Sequence, residues 1–333
     1  MRSYLLFAGM LSLAVSSPAA EVNSPPDTHW IEDAGGSVIK DASGAITGVD
    51  FRASWVTDTD LRRLKLLPNL SSLDLSLTRI TDQGMQELKG LTGIVDLNLY
   101  FAEYVTDEGM AALKDWKKLK RLNVHGTKSS DTTLEHVSSI ASLESLNVGS
   151  AVITDVGLER LVNLTNLKEL TMGGNEVSDA GLQALREMPG LRYLDLTGRE
   201  GTDSNVWAVS ISDSGLDAIL SVKELRELRF ACTSIGVGIE GAKFAEVSAT
   251  SVTNEWIAKM KALPRLEKLR VQGCRRIDDE SIPALSAMPA LREVDLKGTS
   301  VTEKGLAALK KAKPGIVIYS GPWVAKSANF RNN

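Results

Sequence analysis

Two apolar residues flanking one polar residue recur along the chain at a nearly fixed distance. Leu73-Asp74-Leu75, Leu97-Asn98-Leu99, Leu122-Asn123-Val124, Leu146-Asn147-Val148, Leu170-Thr171-Met172 and Leu194-Asp195-Leu196 step by 24 or 25 residues. Val49-Asp50-Phe51 precedes them, and Leu228-Arg229-Phe230, Leu269-Arg270-Val271, Val294-Asp295-Leu296 and a degenerate Ile316-Val317-Ile318 follow. Such alternation predicts a short strand, with its apolar side chains on one face and the residue between them on the other. Between strands, runs such as Ile153 to Leu167 set Leu158, Leu161, Leu164 and Leu167 three residues apart. That spacing suits one or two tight helical turns with a single apolar stripe. Each run opens on a Ser/Thr-Asp pair, from Thr57-Asp58 and Thr81-Asp82 to Ser178-Asp179 and Ser212-Asp213. These side chains are expected to cap free helix N–H groups, with the carboxylate at the positive end of the helix dipole. No repeat can bury its leucines alone, so the period implies an α/β solenoid whose stacked repeats share one core.

The residues of this unit resemble those of a leucine-rich repeat. The resemblance is to the subclass with Thr, Asn or Cys five residues after the first strand leucine, followed by a TDxGLxxLxxL helix. Ser54, Thr78, Thr127, Asn175, Thr233, Cys274 and Thr299 hold the polar position, and Ala102, Ala151 and Arg199 depart from it. The likeness covers roughly residues 46 to 319 and is shared with secreted bacterial leucine-rich-repeat proteins and the repeat portion of F-box ubiquitin-ligase adaptors. It implies a horseshoe with a parallel sheet on the concave face and short helices on the convex face. Function does not follow from it, because such repeats bind many unrelated partners.

The ends read differently. Arg2, the apolar run Leu5 to Val15 and Ser17-Pro18-Ala19-Ala20 are laid out as a signal peptide over residues 1–20, cleaved after Ala19 or Ala20. The apolar run is too short to span a bilayer, so the expected product is secreted or periplasmic. Residues 21–27 then form a flexible leader, 28–48 an N-terminal cap, 49–319 the repeats and 320–333 a C-terminal cap or tail.

Composition narrows the chemistry. The 333 residues carry a net charge of −4, with no Lys/Arg stripe of the kind that marks nucleic-acid binding. His29, His125 and His136 are the three histidines, and none stands in metal-ligand spacing. With no phosphate loop or nucleophile elbow either, the sequence predicts neither enzyme nor metal nor cofactor. Outward strand positions form a ladder of Asp and Asn, which serve either for solvation or for holding a cation or sugar hydroxyls. Arg229 and Arg270 interrupt it, placed either to grip an anionic partner or to pair with Glu227, Asp195 or Asp295. Cys232 and Cys274 lie in adjacent repeats, and a disulfide between them is a candidate in an exported protein.

Two strand-to-strand steps exceed the period, by 10 residues after Leu194 and by 17 after Leu228. Both insertions, near 198–211 and 232–252, leave from the carboxyl end of a strand in neighbouring repeats. They lie on one edge, where they form a binding wall or simply pack together. Trp207 and Phe244 come from the loops, and Tyr193, Asp195, Arg229, Arg270 and Gln272 form the floor of this candidate patch. A secondary patch joins Tyr100, Phe101, Tyr104 and His125, in and beside the repeat that is one residue longer. Aromatics and arginines favour a protein partner. The alternatives are an envelope glycan, held by Trp207, Tyr193 and the Asp/Asn ladder, or a structural role in an exported complex.

Overall fold

The computed structural model describes residues 27–197, 200–201, 206–207, 209, 211–231 and 252–322. The expected signal peptide, most of the leader, Cys232, Phe244 and the tail from 323 lie outside the described residues.

Strands β1 (Ser37–Lys40) and β2 (Ile46–Asp50) form an antiparallel hairpin, so the cap and the first repeat share a strand. Every later strand of the main sheet adds in parallel. They are β3 (Ser72–Asp74), β4 (Asp96–Asn98), β5 (Arg121–Asn123), β6 (Ser145–Asn147), β7 (Glu169–Thr171) and β8 (Tyr193–Asp195). A two-stranded piece follows, β9 (Glu200–Gly201) with β10 (Val206–Trp207), inside the first insertion. The main sheet resumes with β11 (Glu227–Ala231), β12 (Lys268–Gln272), β13 (Glu293–Asp295) and β14 (Val317–Tyr319), twelve strands in all. The register aligns Leu73, Leu97, Leu122, Leu146, Leu170, Leu194, Leu228 and Leu269 in one buried row. Strands stand about 4.8 Å apart, whereas helices need roughly 8–10 Å. Stacking the two on opposite sides therefore bends the solenoid with the sheet on its concave face.

The Ser/Thr-Asp pair does more than cap its own helix. Thr81, Thr106, Ser130, Thr154, Ser178 and Ser212 each accept from the N–H two residues on, as helix caps do. The neighbouring Asp reaches forward into the next repeat. Asp58 accepts the N–H and O–H of Thr81, at 2.9 and 2.7 Å. Asp82 holds Thr106, Asp107 Ser130, Asp131 Thr154, Asp155 Ser178, Asp179 Ser212 and Asp279 Thr302 in the same manner. The hydroxyl donates to one repeat's carboxylate and accepts from its own helix, which a carboxylate cap cannot do. Thr57 has no repeat before it, and Asp60 of its own helix supplies the missing acceptor, at 3.0 and 2.6 Å.

This clamp accounts for the glycine in the motif. A Cβ built on Gly84, Gly157 or Gly215 would stand within 3.0 Å of the preceding repeat's Asp Oδ1. At Gly109 and Gly215 the backbone N–H donates to that same oxygen instead. Trp256 stands where the glycine usually is, and the seam is rebuilt around it. Its indole is buried, meets Phe230 edge-on at 6.3 Å and donates from Nε1 to Asp213 at 2.8 Å.

The polar position behind each strand is an interior hydrogen-bond site. Thr78, Thr127 and Thr299 donate to the carbonyls of Leu75, Val124 and Leu296. Asn175, fully buried, donates to Val148 and Met172 and accepts from Ile153. Cys274 occupies the same position at 1% exposure and is disulfide-bonded.

Candidate functional site

The concave face shows two outward columns. In one, each Asp or Asn accepts the backbone N–H two residues ahead: Asp74 from Ser76, Asn98 from Tyr100, Asn123 from His125, Asn147 from Gly149, Asp195 from Thr197 and Asp295 from Lys297. One oxygen per residue thus closes the turn after its strand, which is why short Asx side chains recur there. The second polar atom faces the groove.

Its fate differs along the molecule. Toward the carboxyl-terminal half the column is paired internally. Arg229 binds Glu227 at 2.6 Å and Asp195 at 3.4 Å and lies 5.0 Å over the ring of Tyr193. The Tyr193 hydroxyl donates to Asp195 at 3.0 Å, and burial with that carboxylate raises the phenol's pKa well above its ordinary value. Arg270 binds Glu293 at 2.9 Å and stands 3.7 Å from the buried Asp295, which also accepts from Gln272 at 2.7 Å. Of the two roles open to Arg229 and Arg270, pairing with these carboxylates is the one occupied. The Glu227 carboxyl loses solvent in this network, yet Arg229, Lys268 and Arg270 hold its pKa below the usual range.

In the middle of the face no arginine reaches the Asn column. The Asn123 amide nitrogen donates to no protein group among the described residues, and the Asn147 amide shares a single side-chain hydrogen bond, with His125. Both amides open into a trough of about 370 Å³ running from Asp96 and Asn98 past Arg121, Ser145 and Glu169 to Thr171 and Tyr193. Arg121 is tied to Asp96 at 2.8 Å. Besides the exposed Glu169 carboxylate, the groups free to meet a ligand are amide donors and hydroxyls, suited to a partner's carbonyl, hydroxyl or N–H groups rather than to a phosphate. Sequence reasoning placed the floor nearer β11 and β12 and missed this trough, although Asn at consecutive strands was its legible signal.

Of the secondary patch, Tyr100, Phe101 and His125 lie in mutual contact, and Tyr104 is engaged by Lys128. His125 stacks on Tyr100 at 5.1 Å, Phe101 meets Tyr100 edge-on at 4.7 Å, and Tyr104 takes Lys128 5.9 Å over its ring. Burial lowers the His125 pKa from its ordinary 6.5, only partly opposed by a hydrogen bond to Asn147. The backbone of Trp207 lies in β10, and Phe244 lies outside the described residues. A further cavity of about 430 Å³ sits beneath the N-terminal cap, lined by His29, Lys40, Leu67 and Pro68 among others. Among the described residues no group of three or more His, Cys, Asp or Glu could hold a metal.

Residues 67–89, 140–162 and 163–185 match the leucine-rich-repeat family model. The chain is a leucine-rich-repeat solenoid. Its sheet and short helices match those of an internalin from Listeria monocytogenes, at a TM-score of 0.50 and 22% identity, over 80% of this chain and 71% of that one. Internalin C2 of the same organism aligns at a TM-score of 0.37 and 18% identity, over 83% and 80%. The Arabidopsis receptor kinase HAESA ectodomain, solved with a peptide hormone, aligns at 0.49 and 19%, over 79% of this chain and 40% of its own. No curated protein sequence matches. At these identities the likeness is one of fold. In this leucine-rich-repeat solenoid the trough reaches Tyr193 of β8, the strand after which the first insertion leaves. Among the described residues no helix is long and apolar enough to cross a membrane.

Proposed function

We propose that the chain is an exported, non-enzymatic binding protein of the TDxGLxxLxxL subclass that docks a protein partner on its concave face. The trough with the open Asn123 and Asn147 amides carries this reading. Amide donors on a rigid sheet offer a partner's backbone carbonyls hydrogen bonds without reorganisation. Tyr193, Asp195, Arg229, Arg270 and Gln272 continue the trough as an ion-paired, preorganised wall. The insertions near 198–211 and 232–252, with Trp207 and Phe244, extend it over the edge, the second tethered by a Cys232–Cys274 disulfide. A sugar-stacking role for Tyr193 is less favoured, since Arg229 covers one face of its ring.

The test is affinity capture from the exported fraction with three baits: the mature chain, a form with both insertions cut to the 24-residue step, and Asn123→Ala/Asn147→Ala. Circular dichroism establishes first that all three fold. A partner retained by the first and lost by the other two supports the reading. Equal retention by all three removes the concave face from consideration. Intact mass of the exported product checks the cleavage after Ala19 or Ala20, and non-reducing peptide mapping checks the disulfide.

A further inference from the structure

The edge that carries the insertions in its later repeats is apolar and cationic in its earlier ones. Immediately after each strand the chain makes a left-handed turn, at which Gly126, Gly174, Gly273 and Gly298 sit comfortably. At the same turn Leu77 has φ 58° and Phe101 φ 52°, backbone that a bulky residue enters only under strain. A glycine would relieve that strain, and it would also remove the side chain from the rim.

Two residues before each helix-cap Ser or Thr, Trp55, Arg79, Tyr104, Lys128 and Val152 occupy equivalent places in five consecutive repeats. Backbone bridges between Thr106 and Lys128 and between Ser130 and Val152 fix the spacing. Trp55 is 83% exposed, Tyr104 50% and Val152 45%. Among the described residues neither Arg79 nor Lys128 has a salt-bridge partner; Lys128 lies over Tyr104 instead. Aromatic and cationic side chains thus alternate along one exposed line. Glu103, beside Tyr104, is exposed, and Glu176 closes the row.

We infer that this rim, Trp55-Arg79-Tyr104-Lys128 with Leu77 and Phe101 behind it, is a docking strip for an extended, acidic and apolar segment of a protein. Charge complementarity selects the occupant. Successive repeats stand about 4.8 Å apart, so Arg79 and Lys128, two repeats apart, are separated by roughly 10 Å. A segment extended as polyproline II rises about 3.1 Å per residue with three residues per turn, which puts carboxylates three residues apart on one face at about the same distance. The segment therefore has the form acidic-x-x-acidic, with an apolar residue between the carboxylates lying on Tyr104. This surface lies outside the Asn123–Asn147 trough, and the inference does not depend on the concave-face reading.

The probe is a fluorescein-labelled peptide with Glu at every third position and Leu or Val between, compared with the same peptide carrying Lys for Glu. Anisotropy titration of the mature chain is expected to show binding of the Glu peptide alone. Arg79→Glu/Lys128→Glu should weaken the Glu peptide at least tenfold and bind the Lys peptide in its place. Trp55→Ala/Tyr104→Ala, at two exposed positions, should weaken the Glu peptide without any exchange of preference. Asn123→Ala/Asn147→Ala should leave its affinity unchanged, which separates this strip from the trough. No binding at ~1 mM peptide, equal binding of both peptides, or affinity indifferent to all rim variants overturns the inference.

Discussion

Among single residues, His125 has the most exacting surroundings. It is packed between Tyr100 and Phe101, with Asn147 beside it, and burial disfavours its cation. Its folded pKa lies below the ordinary 6.5, so its contribution to stability is complete above that pH and is lost as the pH falls through the folded value. We expect the His125 imidazole to titrate below 6.5 by NMR. His125→Phe should flatten the acid-side loss of unfolding free energy relative to the parent chain. The seam glycines are equally specific. Gly157→Ala drives a methyl into the Asp131 carboxylate that holds Thr154, and chemical denaturation should show a loss of about 1–3 kcal/mol. If the damage is this clash, Asp131→Ala made together with it costs less than the sum of the two single changes.

At the scale of the element, the helix start is shared between neighbours. One seam shows the rule by inversion. Asp278 has no hydroxyl to donate, and the residue facing it from the preceding repeat is Asn254 rather than Asp. The Asn254 Nδ2 donates to Asp278 Oδ1 at 2.7 Å, and Asn254 Oδ1 accepts the Asp278 N–H at 3.1 Å. Asn254→Asp alone faces two carboxylates across the seam and should lower the unfolding free energy in chemical denaturation, by on the order of 1–3 kcal/mol. Adding Asp278→Thr restores the arrangement of the other repeats and should recover most of it. A failure of that rescue would show that the clamp is not what joins these helices. The sequence displayed the Ser/Thr-Asp pairs openly and predicted capping correctly. That the Asp also serves the next repeat was not legible, because it needs the distance between helices that the sequence places 24 residues apart.

At the scale of the molecule, the charge network of the later repeats decides how the concave face behaves. Asp195 and Asp295 are buried, and each depends on the arginine beside it. Arg270→Ala leaves Asp295 with Gln272 and one backbone N–H as its partners. It should lower stability by about 2–4 kcal/mol, whereas Arg52→Ala, at an exposed pair, should cost far less. Parallel thermal melts of the two variants check this difference in depth. Cutting the insertions back should leave the repeats folded, since each repeat packs only against its neighbours.

What the sequence determined by itself is the repeat: its period, its strands, its buried leucines, and the two places where it lengthens. Those are local and periodic facts, and every copy restates them. The tertiary structure alone decided which polar groups remain unspent. Arg229 and Arg270 read equally well as ligands or as structural cations until their neighbours' carboxylates were placed within 4 Å. Asn123 and Asn147 look like any other rung of the ladder, yet theirs are the amides that open into the trough. The physical reason is that hydrogen bonds and ion pairs in a solenoid run across repeats, between side chains that a one-dimensional reading keeps a full period apart.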